Sequence, residues 1–209
     1  AWVVMALLIG LGAMAAKGLS MVPTKAQNVS ELIVSGMEEF MVDITGEEGR
    51  WLFPLAGTVF LYVFIGNLIG SLAIVLLVHL SGHWLGHDGT IGAEALSIAN
   101  AKVNLTPVQA FTSGMLCNIL VCLAIWLCYS ARSVTDKILA ILFPITAFVA
   151  LGFEHSIANM YFIPAGLLLK SNAAICSQLG DLNLSNLSLY GFIVKNLVPV
   201  VIGNMIGGA

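Results

Sequence analysis

The chain has 209 residues, 59% of them hydrophobic and 9% charged, with a mean hydropathy of +0.98 and a formal net charge of −3. Soluble domains carry roughly 25% charged residues, so the composition excludes a water-soluble fold and predicts an all-α membrane protein crossing the lipid bilayer several times. The acidic balance gives no basic patch for nucleic acid, and neither a nucleophile–base pair nor a nucleotide loop appears, so we expect no enzyme activity and no cofactor.

A membrane helix needs about 20 apolar residues. The first candidate is Ala1–Ala16, which opens inside an apolar run without a basic leader. Gly207-Gly208-Ala209 closes inside another run, and together these ends predict a fragment of a longer chain. Lys17–Arg50 is the most polar stretch, with Lys17, Lys25 and Arg50 among Glu31, Glu38, Glu39, Asp43, Glu47 and Glu48. Within it, Leu32, Ile33, Met37, Phe40 and Met41 fall at helical spacing over Asn28–Val42. That pattern fits an amphipathic helix at the interface or against a partner, and equally a solvated helix in a loop.

Trp51–Leu80 is an apolar run of 30 residues. As one straight helix it would be about 45 Å long, more than a bilayer core, so it tilts, bends or projects. Ser81–Pro107 reads as a polar, glycine-containing loop with Lys102 near its end. Thr106–Ser130 is the third span, Ala131–Lys137 a short turn, Ile138–Leu169 a fourth span, Lys170–Ser188 a polar loop and Leu189–Ala209 the fifth span. Basic residues gather in Lys17–Arg50 and Ala131–Lys137, which assigns both to the cytoplasm.

Within Ile138–Leu169 the only charged or imidazole side chains are Glu154 and His155, set between Gly152 and Ser156. An ionisable group at membrane depth is costly unless it meets a cavity or a partner. The predicted structure is therefore a helix broken near residues 152–158. A break leaves N–H groups that attract anions, and His155 can lend a proton to a permeating anion. Glu154 can anchor the amides of the break or pair with Lys102. The bland alternative is a hydrogen bond that fixes helix packing. Asn118, in the middle of the third span, also needs hydrogen-bond partners, in a pore or a helix seam.

Ile65-Gly66-Asn67-Leu68-Ile69-Gly70 is echoed by Ile202-Gly203-Asn204-Met205-Ile206-Gly207. Each places Gly-x-x-x-Gly on a helix, which permits close backbone approach, so Gly66, Gly70, Gly203 and Gly207 are read as helix-packing positions. The two helices run in opposite directions in the predicted topology, as in transporters built from inverted repeats. His79, His83 and His87 recur every fourth residue beside Asp88, but Gly82 and Gly86 interrupt the stripe, and no metal site is assigned. Cys117, Cys122, Cys128 and Cys176 lack ligand spacing and read as small apolar residues. Asn183 and Asn186 head glycan-acceptor patterns too common to weigh.

From about Gly66 to Ala209 the chain resembles the formate/nitrite transporter family. The resemblance rests on Gly114-Met-Leu-Cys-Asn-Ile-Leu-Val-Cys-Leu-Ala124, on Gly152-Phe-Glu-His-Ser-Ile-Ala-Asn-Met160 and on Ala99-Asn-Ala-Lys102. It implies an aquaporin-like bundle with inverted repeats, assembled as homopentamers in the bacterial inner membrane, with a pore in each protomer for formate, nitrite or hydrosulfide. It further implies that His155 is the central pore histidine and Asn118 its polar neighbour. Lys102 and Glu154 become the pair at the helix breaks, and Val121 and Phe148 line the hydrophobic constriction.

The N-terminal segment, residues 1–70, instead resembles subunit a of bacterial F-type ATP synthase. That resemblance runs from Val22-Pro-Thr-Lys-Ala-Gln-Asn-Val through Met37–Arg50 and Trp51-Leu-Phe-Pro to Gly70. The transporter family's Ala-Glu-Leu-Phe-Thr-Gly motif is absent, so part of the first repeat is expected to be missing and the chain to be a chimera of segments 1–70 and 66–209. The leading expectation is an anion channel or proton-coupled transporter. The alternatives are a proton-path subunit of a rotary ATP synthase, or a non-conducting fragment.

Overall fold

The computed structural model describes residues 2–17, 19, 23–180 and 182–209. Ala1, at the head of the first apolar run, and Val22, at the head of the ATP-synthase-like stretch, lie outside them. Among the described residues every regular element is helical. Contacts divide the chain into two units, residues 1–69 and 70–209.

The first unit opens with α1 (Trp2–Lys17) and α2 (Lys25–Thr45). The Thr24 side chain accepts the Gln27 N–H at 3.2 Å and starts α2; Gly46, at φ 76°, ends it. Arg50, in the 3₁₀ turn Glu47–Leu52, returns to α2 through Glu38 at 2.7 Å and holds Glu47 at 3.0 Å. The apolar stripe of α2 is only partly covered: Leu32 is 72% exposed, Met37, Phe40 and Met41 are half-buried, and no residue of the helix is fully buried. Helix α3 (Phe53–Leu80) contributes to both units.

The second unit contains α4 (Thr90–Val103), α5 (Pro107–Ser130), α6 (Val134–Ala150), α7 (Ser156–Leu169) and the short α8 (Ala173–Gln178). A π-helical segment, Gly191–Leu197, then leads into α9 (Val198–Gly208). Helix α4 lies on α7, and α5 lies between α6 and α9. Glycines make the second arrangement possible. A Cβ on Gly203 would strike the Phe111 carbonyl, and one on Gly207 the Met115 carbonyl; one on Gly114 would come within 2.9 Å of the Val200 carbonyl. On the α4–α7 side, Gly166 admits the Ala99 methyl in the same way.

The loop expected over Ser81–Pro107 is a correction. Residues 90–103 form α4, where Leu96, Ala99 and Val103 are fully buried. The loop expected over Lys170–Ser188 likewise contains α8. The fourth span is broken, with α6 ending at Ala150 and α7 starting at Ser156. Among the described residues three helices are long and apolar enough to cross a membrane: Glu47–Leu80, Pro107–Ser130 and Gly191–Gly208.

The echoed glycines are used differently. Gly203 and Gly207 form the α5–α9 seam, whereas among the described residues nothing lies within 4 Å of a Cβ on Gly66 or Gly70. Asn67 turns back to its own helix, donating to the Val63 carbonyl at 2.8 Å. Helix α3 ends at Leu80, so the histidine stripe is split. His79 stacks on Trp84 at 5.6 Å, His83 starts a 3₁₀ turn, and His87 and Asp88 take left-handed backbone.

Candidate functional site

The break between α6 and α7 is the chemical centre of the second unit. Gly152 adopts φ 67°, a conformation that favours glycine, and turns the chain out of α6. Unsatisfied backbone in a membrane costs several kcal/mol per group, so a break survives only where protein supplies partners. Here side chains supply them. Ser113 Oγ on α5 accepts the Glu154 N–H at 3.0 Å. Asn204 on α9 donates from Nδ2 to the Glu154 carbonyl at 3.0 Å and accepts the Ser156 N–H on Oδ1 at 2.9 Å. The same Nδ2 donates to the Gly114 carbonyl at 2.8 Å, joining the break to α5.

Glu154 is buried, and its carboxylate is divided between two tasks. Oε1 accepts from Lys102 Nζ of α4 at 2.7 Å; Oε2 accepts from Asn159 Nδ2 at 2.6 Å and Asn196 Nδ2 at 2.9 Å. Asn159 Nδ2 also donates to Asn196 Oδ1 at 2.7 Å, and Asn196 Nδ2 to the Lys102 carbonyl at 2.9 Å. Asn196 belongs to the π-helical segment, a local widening common at functional positions. Lys102 Nζ also stands 5.8 Å from the Phe162 ring centre. Among the described residues Asn159 Oδ1 is the buried side-chain acceptor without a partner.

His155 is half-buried and caps α7. Its Nδ1 accepts the Ile157 N–H at 3.2 Å. A nitrogen that accepts carries no hydrogen, so the neutral ring has its hydrogen on Nε2. Among the described residues Nε2 has no hydrogen-bond partner. The Phe148 ring, near the end of α6, lies 5.9 Å from the imidazole.

The structure thus joins Lys102 to Glu154 and sets Phe148 against His155. Asn118 reaches the break indirectly, donating to the Asn204 carbonyl at 2.6 Å. Val121, half-buried, lies one turn further along α5. Sequence reasoning passed over Asn159, Asn196, Asn204 and Ser113 as site residues. The available signal was the one that found Asn118: an amide within an apolar span demands partners.

A family model described as Formate/nitrite transporter matches residues 6–209. The formate channel FocA of Escherichia coli (strain K12) is 40% identical over 184 residues, covering 84% of this chain and 65% of FocA. ATP synthase subunit a of Desulfosudis oleivorans is 48% identical over 99 residues, covering 41% of this chain and 43% of that protein. A solved pentameric formate channel with formate bound is 40% identical and superposes with a TM-score of 0.64, over 70% of this chain and 59% of that one. The chain therefore spans just under two-thirds of the FocA length.

Proposed function

The chain belongs to the formate/nitrite transporter family, and on that premise we propose that it carries small monovalent anions, formate, nitrite or hydrosulfide, through a bacterial inner membrane as part of a homopentamer. The observation that carries this reading is the helix break, where a capping imidazole with an unengaged Nε2 stands beside an aromatic ring and near a buried ion pair.

The chemistry follows from desolvation. A naked anion pays heavily to enter an apolar constriction, and its neutral acid pays little. Lys102 has three N–H donors, of which Glu154 takes one, so the ammonium can still attract an anion towards the break. The Nε2–H of His155 offers the anion a hydrogen bond. Proton transfer needs one further step. The ring must first gain a proton on Nδ1, which forfeits the Ile157 cap; the imidazolium can then give its Nε2 proton to the anion. Phe148 and Val121 form the apolar constriction through which the neutral acid crosses. Asn118, through Asn204, keeps the break in register with α5.

The test is flux of formate, nitrite and hydrosulfide into proteoliposomes under a pH gradient. The intact chain is expected to move at least one of them in a proton-dependent manner, and His155→Ala to abolish that dependence. An intact chain that moves none of the three refutes the proposal and favours a non-conducting fragment.

The relation to subunit a supports a second reading, a proton-path subunit of a rotary ATP synthase. That role needs an arginine on a late membrane helix facing the rotor. After Arg50 the chain has only Arg132, exposed in the turn between α5 and α6. Copurification with a rotor ring would restore this reading.

A further inference from the structure

The turn between α5 and α6, together with the first turn of α6, carries charge that the helix break does not use. Arg132 and Lys137 are exposed, and among the described residues neither side chain forms a hydrogen bond or ion pair. The acid between them is engaged locally. The Asp136 carboxylate accepts the Ser133 N–H at 3.1 Å, and Ser133 Oγ accepts the Asp136 N–H at 3.1 Å. Arg132 in the turn and Lys137 at the start of α6 therefore present two cations against one carboxylate that already closes the first turn of α6.

A groove of about 770 Å³ opens from this turn between the two helices. Leu120, Leu123 and Leu127 form one wall; Leu139, Phe143 and Pro144 form the other. Arg132 and Asp136 line the end at the turn. The groove follows α5 from Ser130 to Leu120 and α6 from Asp136 to Ala147. At 1.5 Å per residue that is about 15 Å, or half of a hydrocarbon core about 30 Å thick. The three helices of this chain that are long enough to cross a membrane have 18 residues or more, about 27 Å at least, so the half-depth of the groove and its cationic end fit a single lipid chain with its headgroup better than such a helix from a second copy.

We propose that this groove holds an acyl chain of an anionic phospholipid, its phosphate drawn to Arg132 with Lys137 reinforcing the field. The walls supply apolar contact over one leaflet, and the cationic turn meets the headgroup at the leaflet's edge. Basic residues beside membrane helices attract anionic headgroups, each enough to change retention about five-fold. The site draws nothing from the helix break and stands whether or not the chain conducts anions.

Native mass spectrometry tests it, using the full chain released from nanodiscs of equal phosphatidylglycerol and phosphatidylcholine. Phosphatidylglycerol is expected to be retained preferentially. Arg132→Gln should lower that retention about five-fold, the further change Lys137→Gln should lower it again, and Lys25→Gln on α2 should leave it unchanged. Ala140→Trp, which fills the groove, should release the lipid without removing either cation. Both basic residues are exposed, so their replacement leaves the buried packing intact, and circular dichroism checks this. Equal retention of the two lipids, or retention indifferent to Arg132, overturns the proposal. So does cross-linking of Leu123→Cys to a second copy of the chain.

Discussion

The carboxylate of Glu154 joins three segments: α4 through Lys102, α7 through Asn159 and the π-helical segment through Asn196. Its side chain is 3% exposed and that of Lys102 14%, so each charge depends on the other. Breaking a buried pair from one side costs about 3–5 kcal/mol, because the surviving charge is stranded. Glu154→Gln should therefore lower the thermal unfolding midpoint in detergent by an amount of that order. Lys102→Met combined with Glu154→Gln should recover most of the loss. A Glu154→Gln protein that melts with the parent would show that the pair does not hold the break. His155 allows a cleaner separation of roles. Asn is a strong N-cap and neither gains nor releases a proton near neutral pH, so His155→Asn should keep α7 capped and still lose proton-dependent flux. His155→Ala should lose the flux and also the cap, costing about 1 kcal/mol. Equal proton-dependent flux in His155→Asn and parent would remove the imidazole from the transport step. Glu154 and His155 were legible in the sequence because charge stands out within an apolar run. Asn196 was not, since an uncharged amide reads as packing as readily as chemistry. Its meaning comes from partners 37 and 42 residues away.

At the scale of elements, the broken helix was legible and α4 was not. Helix α4 has 14 residues, short of a span, and carries Glu94 and Lys102, so hydropathy assigned it to a loop. Its buried positions, Gly92, Ala93, Leu96, Ala99, Asn100 and Val103, nonetheless recur at helical spacing. The signal was muted because several of these residues are small. They are small because Ala99 must meet Gly166 on α7 at close range. The echoed glycine motif teaches the complementary lesson: the same six-residue pattern packs in α9 and faces open space in α3. A paired substitution measures the difference. Gly203→Ala drives a methyl into the Phe111 carbonyl and the Met115 amide, backbone groups that have nowhere to go. Overpacking of this kind costs about 1–3 kcal/mol. Gly66→Ala adds its methyl to empty space and gains helix propensity, so its midpoint should hold or rise. Equal loss at both positions would mean that the α3 glycines already support this chain's own fold.

At the scale of the molecule, covering the apolar surface is the outstanding physical demand. Only 6% of the most apolar window of Glu47–Leu80 is buried, and Trp126 and Phe143 are 73% and 70% exposed. Lipid satisfies part of that demand without driving assembly, because lipid tails are as apolar as leucine. Helices associate in a bilayer where small residues let backbones approach. Gly66 and Gly70 on α3 have that character and are unoccupied, and Gly203 and Gly207 show what such a pair accepts, a neighbouring backbone at contact distance. The proposed homopentamer thus has a candidate seam within a chain that spans 65% of FocA. Native mass spectrometry in a mild detergent should give five times the 22.1 kDa chain mass. Gly66→Leu should shift that population to smaller species while single copies melt unchanged, because a Cβ at Gly66 has no neighbour within 4 Å among the described residues. Single copies of the parent would refute the pentamer. A Gly66→Leu protein that stays five-fold would move the seam to another face and leave α3 to the lipid.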